Sequence, residues 1–424
     1  MINKFTNNDI GETIKVYTHK SGLRVYVCEK NDYSSAYAIF GTRYGSIDTK
    51  FKVSGGEFLE VPEGIAHYLE HKLFESEEQD AFERFAKTGA AANAFTSFDR
   101  TCYLFSCSSK FEENFRILLD FVQHPYFTEE TVRKEQGIIG QEINMYDDNA
   151  GWRVLFNLLC AMYKVHPVRI DIAGTVESIA KINADLLYDC YNTFYNLNNM
   201  FICVAGNVEA EKIFALCDEL LLDKEKIEIE RFMPEEPENV VCDKTEISLP
   251  VSIPMFAIGF KEKCDKPQKS VKEKVLTEII LKCIFGNDGK LYKELFDNGL
   301  INDNFGTEYF TGYGYASVIV EGESNAPQKV REIINSYICE TKKSGIPEAD
   351  INRCIKAYYG KLVSDYNSVE NIVMNMVDSA FFDTDVFEEI EVLKSVTVED
   401  VNERLKYILN TENSSISIVN KKEM

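Results

Sequence analysis

The chain has 424 residues, 45% hydrophobic and 27% charged, a composition that excludes a small module or a disordered tract and fits roughly two to four globular domains. Its 69 acidic and 46 basic residues leave a formal charge of −23, a field that repels nucleic-acid phosphate and anionic lipid and either draws cationic ligands or serves only to keep the protein soluble. No apolar run follows Lys4, and stretches such as MFICVAG are far shorter than the ~20 residues a membrane helix needs.

The elements expected in chain order begin with a strand at 37–46 and a helix ending near Glu75. A second helix near 79–88 precedes a strand pattern at 93–108. Helices follow near 111–123, 128–147, 152–162 and 176–195, then a closing strand at 200–208. Charge and prolines mark 229–246 as a linker. Beyond it the plan repeats: a strand at 255–263, helices near 270–285 and 290–297, and a strand pattern at 308–322. Further helices come near 326–343, 347–365, 368–382 and 397–408, and a last strand at 414–420. The repetition implies an α+β chain of two homologous domains, 1–228 and 247–424. Twelve cysteines are scattered without a CxxC pair, and Cys160, Cys203 and Cys283 sit inside apolar runs. That is the pattern of buried thiols in a reducing compartment, so the expected location is cytoplasmic.

Only five histidines occur, and two lie in GIAHYLEHKLFE, at His67 and His71. At these frequencies a chance HxxEH string is expected about 0.01 times, so the motif carries weight. On a helix the two imidazoles share a face one turn apart, where they can hold one zinc ion, and Glu70 can reach a water at that ion. A catalytic zinc wants a third protein ligand. The best supplier is VRKEQGIIGQEINMYDD, where Glu135 and Glu142 are two helical turns apart and Glu142 lies among Ile138, Ile139 and Ile143. A salt bridge for Glu142 and an exposed helical charge for Glu135 are equally consistent with spacing alone. Taken alone, NAFTSFDRT reads as an ordinary edge strand with Thr96 and Asp99 making turn bonds, and Arg100 as a surface ion pair.

HYLEH, NAFTSFDRTCY, EQGIIGQEI, HPVRIDIAGTVESI and YNLNNMFICVAGN together resemble the insulinase/pitrilysin family of inverted-motif zinc metallopeptidases, and in particular its small bacterial two-domain members. The resemblance covers about Tyr37 to Asn207 closely and continues more weakly to the end of the chain. It implies His67, His71 and Glu142 as ligands of one zinc ion per chain, Glu70 as the base that activates water, and Glu135 as a carboxylate behind the ligands. It further implies that Asn93 and Ala94 touch the peptide substrate. In the second half the stretch EYFTGYGYASVIVEG offers Tyr309, Tyr313 and Tyr315, of which Tyr315 is taken as the substrate residue. It lacks the arginine that family enzymes use there. The implied protein is a zinc endopeptidase built as one jaw of a clamshell, completed as a homodimer or as a heterodimer with a related motif-lacking subunit. The alternative is a non-catalytic or client-maturation subunit of such a complex.

Overall fold

The most apolar stretches of the chain form the middle of a sheet. In the computed structural model, which describes residues 2–77, 79–264 and 266–422, every residue of the strands Ala36–Thr42 and Met200–Gly206 is buried. Successive strand residues point to opposite faces, so burial of all seven means that both faces are covered. These two strands lie side by side in a seven-stranded sheet. Its order is Ile2–Asn7, Glu12–Thr18, Arg24–Glu29, Met200–Gly206, Ala36–Thr42, Thr101–Cys107, Ala91–Thr96. All pairs are antiparallel except Arg24–Glu29 with Met200–Gly206. Among the described residues the strand Ala91–Thr96 is therefore an edge, paired with a strand on one side only. A small sheet joins Ile229–Arg231, Lys50–Val53 and Leu59–Glu60, so the segment read as a linker begins with a strand.

A second sheet of five strands runs Lys244–Leu249, Ser414–Lys421, Met255–Lys261, Tyr315–Glu323, Gly306–Gly312. The chain divides into two compact units: Met1–Ile143 with Asp171–Phe232 and Leu362–Glu388, and Asn144–Ile170 with Met233–Lys361 and Glu389–Met424. The halves thus exchange one helix each. Ala150–Met162 packs on the five-stranded sheet, while Val369–Phe382 packs on the seven-stranded one.

Three arginines of the first unit seize the end of that incoming helix. Arg43 donates to the carbonyls of Ala380 and Phe381, Arg24 pairs with Asp383, and Arg100 pairs with Asp378. The Arg100 guanidinium also lies 4.3 Å from the ring centre of Phe381. Cations at a helix C-terminus meet its unpaired carbonyls and the negative end of its dipole. Arg100, expected as a surface pair, is an ion pair with only 12% of its side chain exposed.

The mixed α+β architecture is as the sequence implied, with differences of detail. Each long strand pattern is a hairpin: Ala91–Thr96 with Thr101–Cys107, and Gly306–Gly312 with Tyr315–Glu323. The helix expected over 176–195 is two, Val176–Ile179 and Ala184–Phe194, because Asn183 accepts from the Leu186 amide and starts a new helix. Among the described residues no helix is long and apolar enough to cross a membrane. All twelve cysteines are free.

Candidate metal centre

The helix Ile65–Leu73 that carries HYLEH has no side-chain cap at its start; backbone contact fixes it instead. Gly64 has φ +85, and a Cβ there would come within 2.3 Å of the Ala173 carbonyl oxygen. Gly174, at φ +72, would put a Cβ 2.6 Å from the Glu63 oxygen. Only glycine permits both the left-handed backbone and this approach. Ser178 Oγ donates to Glu63 O at 2.9 Å, and the Tyr68 hydroxyl donates to Val132 O. The motif helix is thereby held against the 171–178 loop at its start and against the helix Glu129–Asp147 along its length.

That second helix buries Val132, Glu135, Ile139 and Ile143. Ile138 is 48% exposed, so Glu142 sits beside the apolar stripe rather than on it, with 22% of its side chain exposed. Donor atoms of His67, His71 and Glu142 all lie within 4.8 Å of one another. His67 Nε2 is 3.8 Å from Glu142 Oε1, and His71 Nε2 is 3.4 Å from Glu142 Oε2. Two ligands at 2.0–2.1 Å in a tetrahedral shell stand about 3.4 Å apart, so this donor set fits zinc.

The protons are arranged to suit. The Glu135 carboxylate can only accept, so the 3.1 Å contact from His71 Nδ1 places the proton on Nδ1 and leaves the Nε2 lone pair facing Glu142. Burial, then the neighbouring His71, lowers the pKa of His67 to about 4, which keeps that ring neutral and able to ligate. Burial opposes charging of His71 as well, but the hydrogen bond to Glu135 and the Glu70 and Glu142 carboxylates outweigh it and raise its pKa. Burial pushes up the proton affinity of Glu135, yet its bond to His71 leaves the net shift downward. Three carboxylates around two imidazoles favour a cation.

Glu70, 9% exposed, has its proton affinity raised, first by burial. Its Oε2 accepts from the Thr96 hydroxyl at 2.6 Å, so the end of the edge strand lies beside it. Farther along that strand, Asn93 is exposed and Ala94 half-buried, and Asn93 Oδ1 accepts from the Ala94 amide at 2.9 Å. The structure thus brings His67, His71, Glu142, Glu135 and Glu70 together, on one unit with the strand of Asn93 and Ala94. It does not bring Tyr315 to a surface. That side chain is 3% exposed within the second unit, against His166 and Phe310, because the ring covers Gly312, where a Cβ would meet its hydroxyl at 2.3 Å. Tyr313, at 39%, is the exposed tyrosine of that stretch. Sequence reasoning gave Thr96 a turn bond and assigned no role to Gly64 and Gly174. A glycine just before the motif helix was the one available signal for the backbone contact.

A family model described as Insulinase (Peptidase family M16) matches residues 49–176, which hold all three donors, and one described as Peptidase M16 inactive domain matches 181–358. The uncharacterized zinc protease YmfH of Bacillus subtilis (strain 168) is 42% identical over 409 residues, 95% of either chain. The crystal structure of a protein described as a putative M16-like peptidase from Alicyclobacillus acidocaldarius superposes with a TM-score of 0.93 at 34% identity, covering 97% of this chain and 99% of that one. Pitrilysin matches at a TM-score of 0.75 and 16% identity, a likeness of fold alone, covering 100% of this chain and 47% of that one.

Proposed function

This chain belongs to the insulinase (M16) family of zinc peptidases, and on that premise we propose that it is a zinc endopeptidase acting on peptides or short unfolded segments. The observation that carries the reading is the cluster of His67, His71 and Glu142 donor atoms within 4.8 Å, with Glu70 beside it. Zinc, when bound, polarises the scissile carbonyl and lowers the pKa of water to about 7. Glu70 takes the proton of the attacking water and passes it to the leaving amine. Glu135 holds the His71 ring in the tautomer that ligates. An extended peptide adds to the open side of Ala91–Thr96 through main-chain hydrogen bonds, with Asn93 and Ala94 in contact and little demand on sequence.

One zinc per chain, a cytoplasmic location and a dimeric assembly complete the proposal. A chain that spans 47% of pitrilysin fits one jaw of a chamber, and a partner jaw, identical or motif-lacking, supplies the substrate contact that buried Tyr315 does not make. The duplicated sequence halves are read as 1–228 and 247–424, joined at 229–246, although the compact units depart from those bounds by exchanging 144–170 and 362–388.

The test compares the full chain with Glu70→Gln, each measured for zinc content and for cleavage of a quenched peptide library, alone and with cell lysate. The expected result is one zinc in both proteins and turnover only in the wild type. Equal cleavage by the metal-loaded Glu70→Gln protein removes the mechanism. Zinc binding without cleavage under either condition favours the non-catalytic subunit.

A further inference from the structure

Thr96 joins the edge strand to the base through both its hydroxyl and its backbone, the hydroxyl having the larger effect on the Glu70 carboxylate, and the direction of the hydroxyl's bond is determined. Thr96 ends the strand Ala91–Thr96, opposite Thr101 in the hairpin. The Thr101 hydroxyl gives its single proton to the Tyr44 carbonyl at 2.9 Å, so toward Thr96, 3.4 Å away, it offers only a lone pair. The Thr96 hydroxyl has a far better acceptor in Glu70 Oε2 at 2.6 Å, the short length typical of a hydroxyl on a carboxylate. The strand end itself is pinned. Ser97 N donates to Arg100 O at 2.8 Å, and Ser46 N and Ile47 N donate to Ser97 O and Phe98 O at 3.1 and 2.9 Å. At Gly45 a Cβ would come within 2.4 Å of the Asp99 amide nitrogen, so the turn rests directly on backbone.

We propose that Thr96 is a positioning residue for the reaction: its hydroxyl holds one oxygen of Glu70 against the end of the edge strand. The other oxygen is then aimed at a peptide lying on that same strand. This rests on the peptidase reading above. Asn93 and Thr96 are three residues apart on one strand, so the register of the bound peptide and the direction of the base are set by a single rigid element. Without the hydroxyl, only the lesser backbone contact of Thr96 holds the Glu70 carboxylate, its terminal torsion is less restricted, and productive orientations become a smaller fraction of the total.

The experiment uses the zinc-loaded full chain with Thr96→Val and Thr96→Ser. Valine keeps the β-branched shape without the donor, and serine restores the donor. The expected result for Thr96→Val is a roughly 10- to 100-fold loss of kcat, the range for one hydrogen bond to a charged group, with KM and zinc content unchanged. Thr96→Ser returns to within about threefold of wild type. Wild-type kcat in Thr96→Val, or a loss that serine does not rescue, overturns the proposal. Crystal structures of the wild type and Thr96→Val give a readout independent of turnover. Glu70 is expected to leave its wild-type position in the variant, and an unmoved Glu70 overturns the proposal. A wild type that cleaves nothing defeats the peptidase reading and leaves these structures to decide the role of Thr96.

Discussion

Glu135 shows how one side chain acquires meaning from a single contact. Its carboxylate is 8% exposed and bound to His71 Nδ1, an arrangement that costs desolvation unless the ring it faces has a job. Such outer partners typically contribute 10- to 100-fold to metal affinity. Glu135→Ala is therefore expected to weaken zinc binding roughly 10- to 100-fold in chelator competition, and Glu135→Gln by less, since an amide oxygen still accepts from Nδ1. Glu142→Ala removes a ligand and should cost more than either. An unchanged affinity in Glu135→Ala would dissociate that residue from the metal. HxxEH was legible because histidine is rare in this chain; Glu135 and Glu142 were legible as a pair, but their division of labour was not. Seven residues apart they share a helical face, and only packing against Ile65–Leu73 decides which reaches His71 Nδ1 and which meets both Nε2 atoms.

At the scale of elements, the helix Val369–Phe382 is the informative case. Its sequence position and length were readable from apolar periodicity and from Ser368, which caps it by accepting from the Asn371 amide at 3.4 Å. Its destination was not, because an apolar stripe says that a helix is covered and not by what. The specific information lies in Arg24, Arg43 and Arg100, which are distant in sequence from the helix end they bind. Arg100 also pairs at 2.9 Å with Asp99, whose side chain is 8% exposed, and removing the guanidinium leaves that buried carboxylate uncompensated. Arg100→Leu is thus expected to lower unfolding free energy by about 3 kcal/mol in urea titration. It should also expose the 362–388 segment to limited proteolysis. A loss below about 0.5 kcal/mol, the level of an ordinary surface substitution, would show that Arg100 does not anchor the helix.

For the molecule as a whole, pH and salt are the useful probes. His166 is 1% exposed; its Nε2–H donates to Tyr313 O at 3.0 Å and its Nδ1 accepts from Val168 N at 3.1 Å. Both nitrogens are satisfied in the neutral form, and burial lowers the pKa to about 4 from 6.5. Between those values the unfolded chain binds a proton that the folded chain does not. The stability tied to the neutral ring is present in full above pH 6.5 and lost as pH falls toward 4, with a ceiling of about 3 kcal/mol. Urea midpoints at pH 7.5 and 5 should therefore fall less steeply in His166→Gln than in the wild type. Parallel slopes would remove His166 as the cause. The charge of −23 makes a second expectation: kcat/KM for a basic peptide should drop with added salt more than for a neutral one. Equal salt dependence would mean that the charge lies away from the substrate path.

The order of amino acids alone determined the α+β alternation, its repetition, and the rare pair of histidines one helical turn apart. Those features depend on local periodicity and spacing, which a chain carries whatever it packs against. Tertiary structure decided the rest: the exchange of Ala150–Met162 and Val369–Phe382, the glycine contact that seats the motif helix, the burial of Tyr315, and the hydroxyl of Thr96 on Glu70. All but the packing of Tyr315 on Gly312 join residues from 26 to more than 100 positions apart. Such pairings are chosen by shape and charge complementarity between finished elements, and a local pattern, such as the glycine before the motif helix, marks at most one side of them.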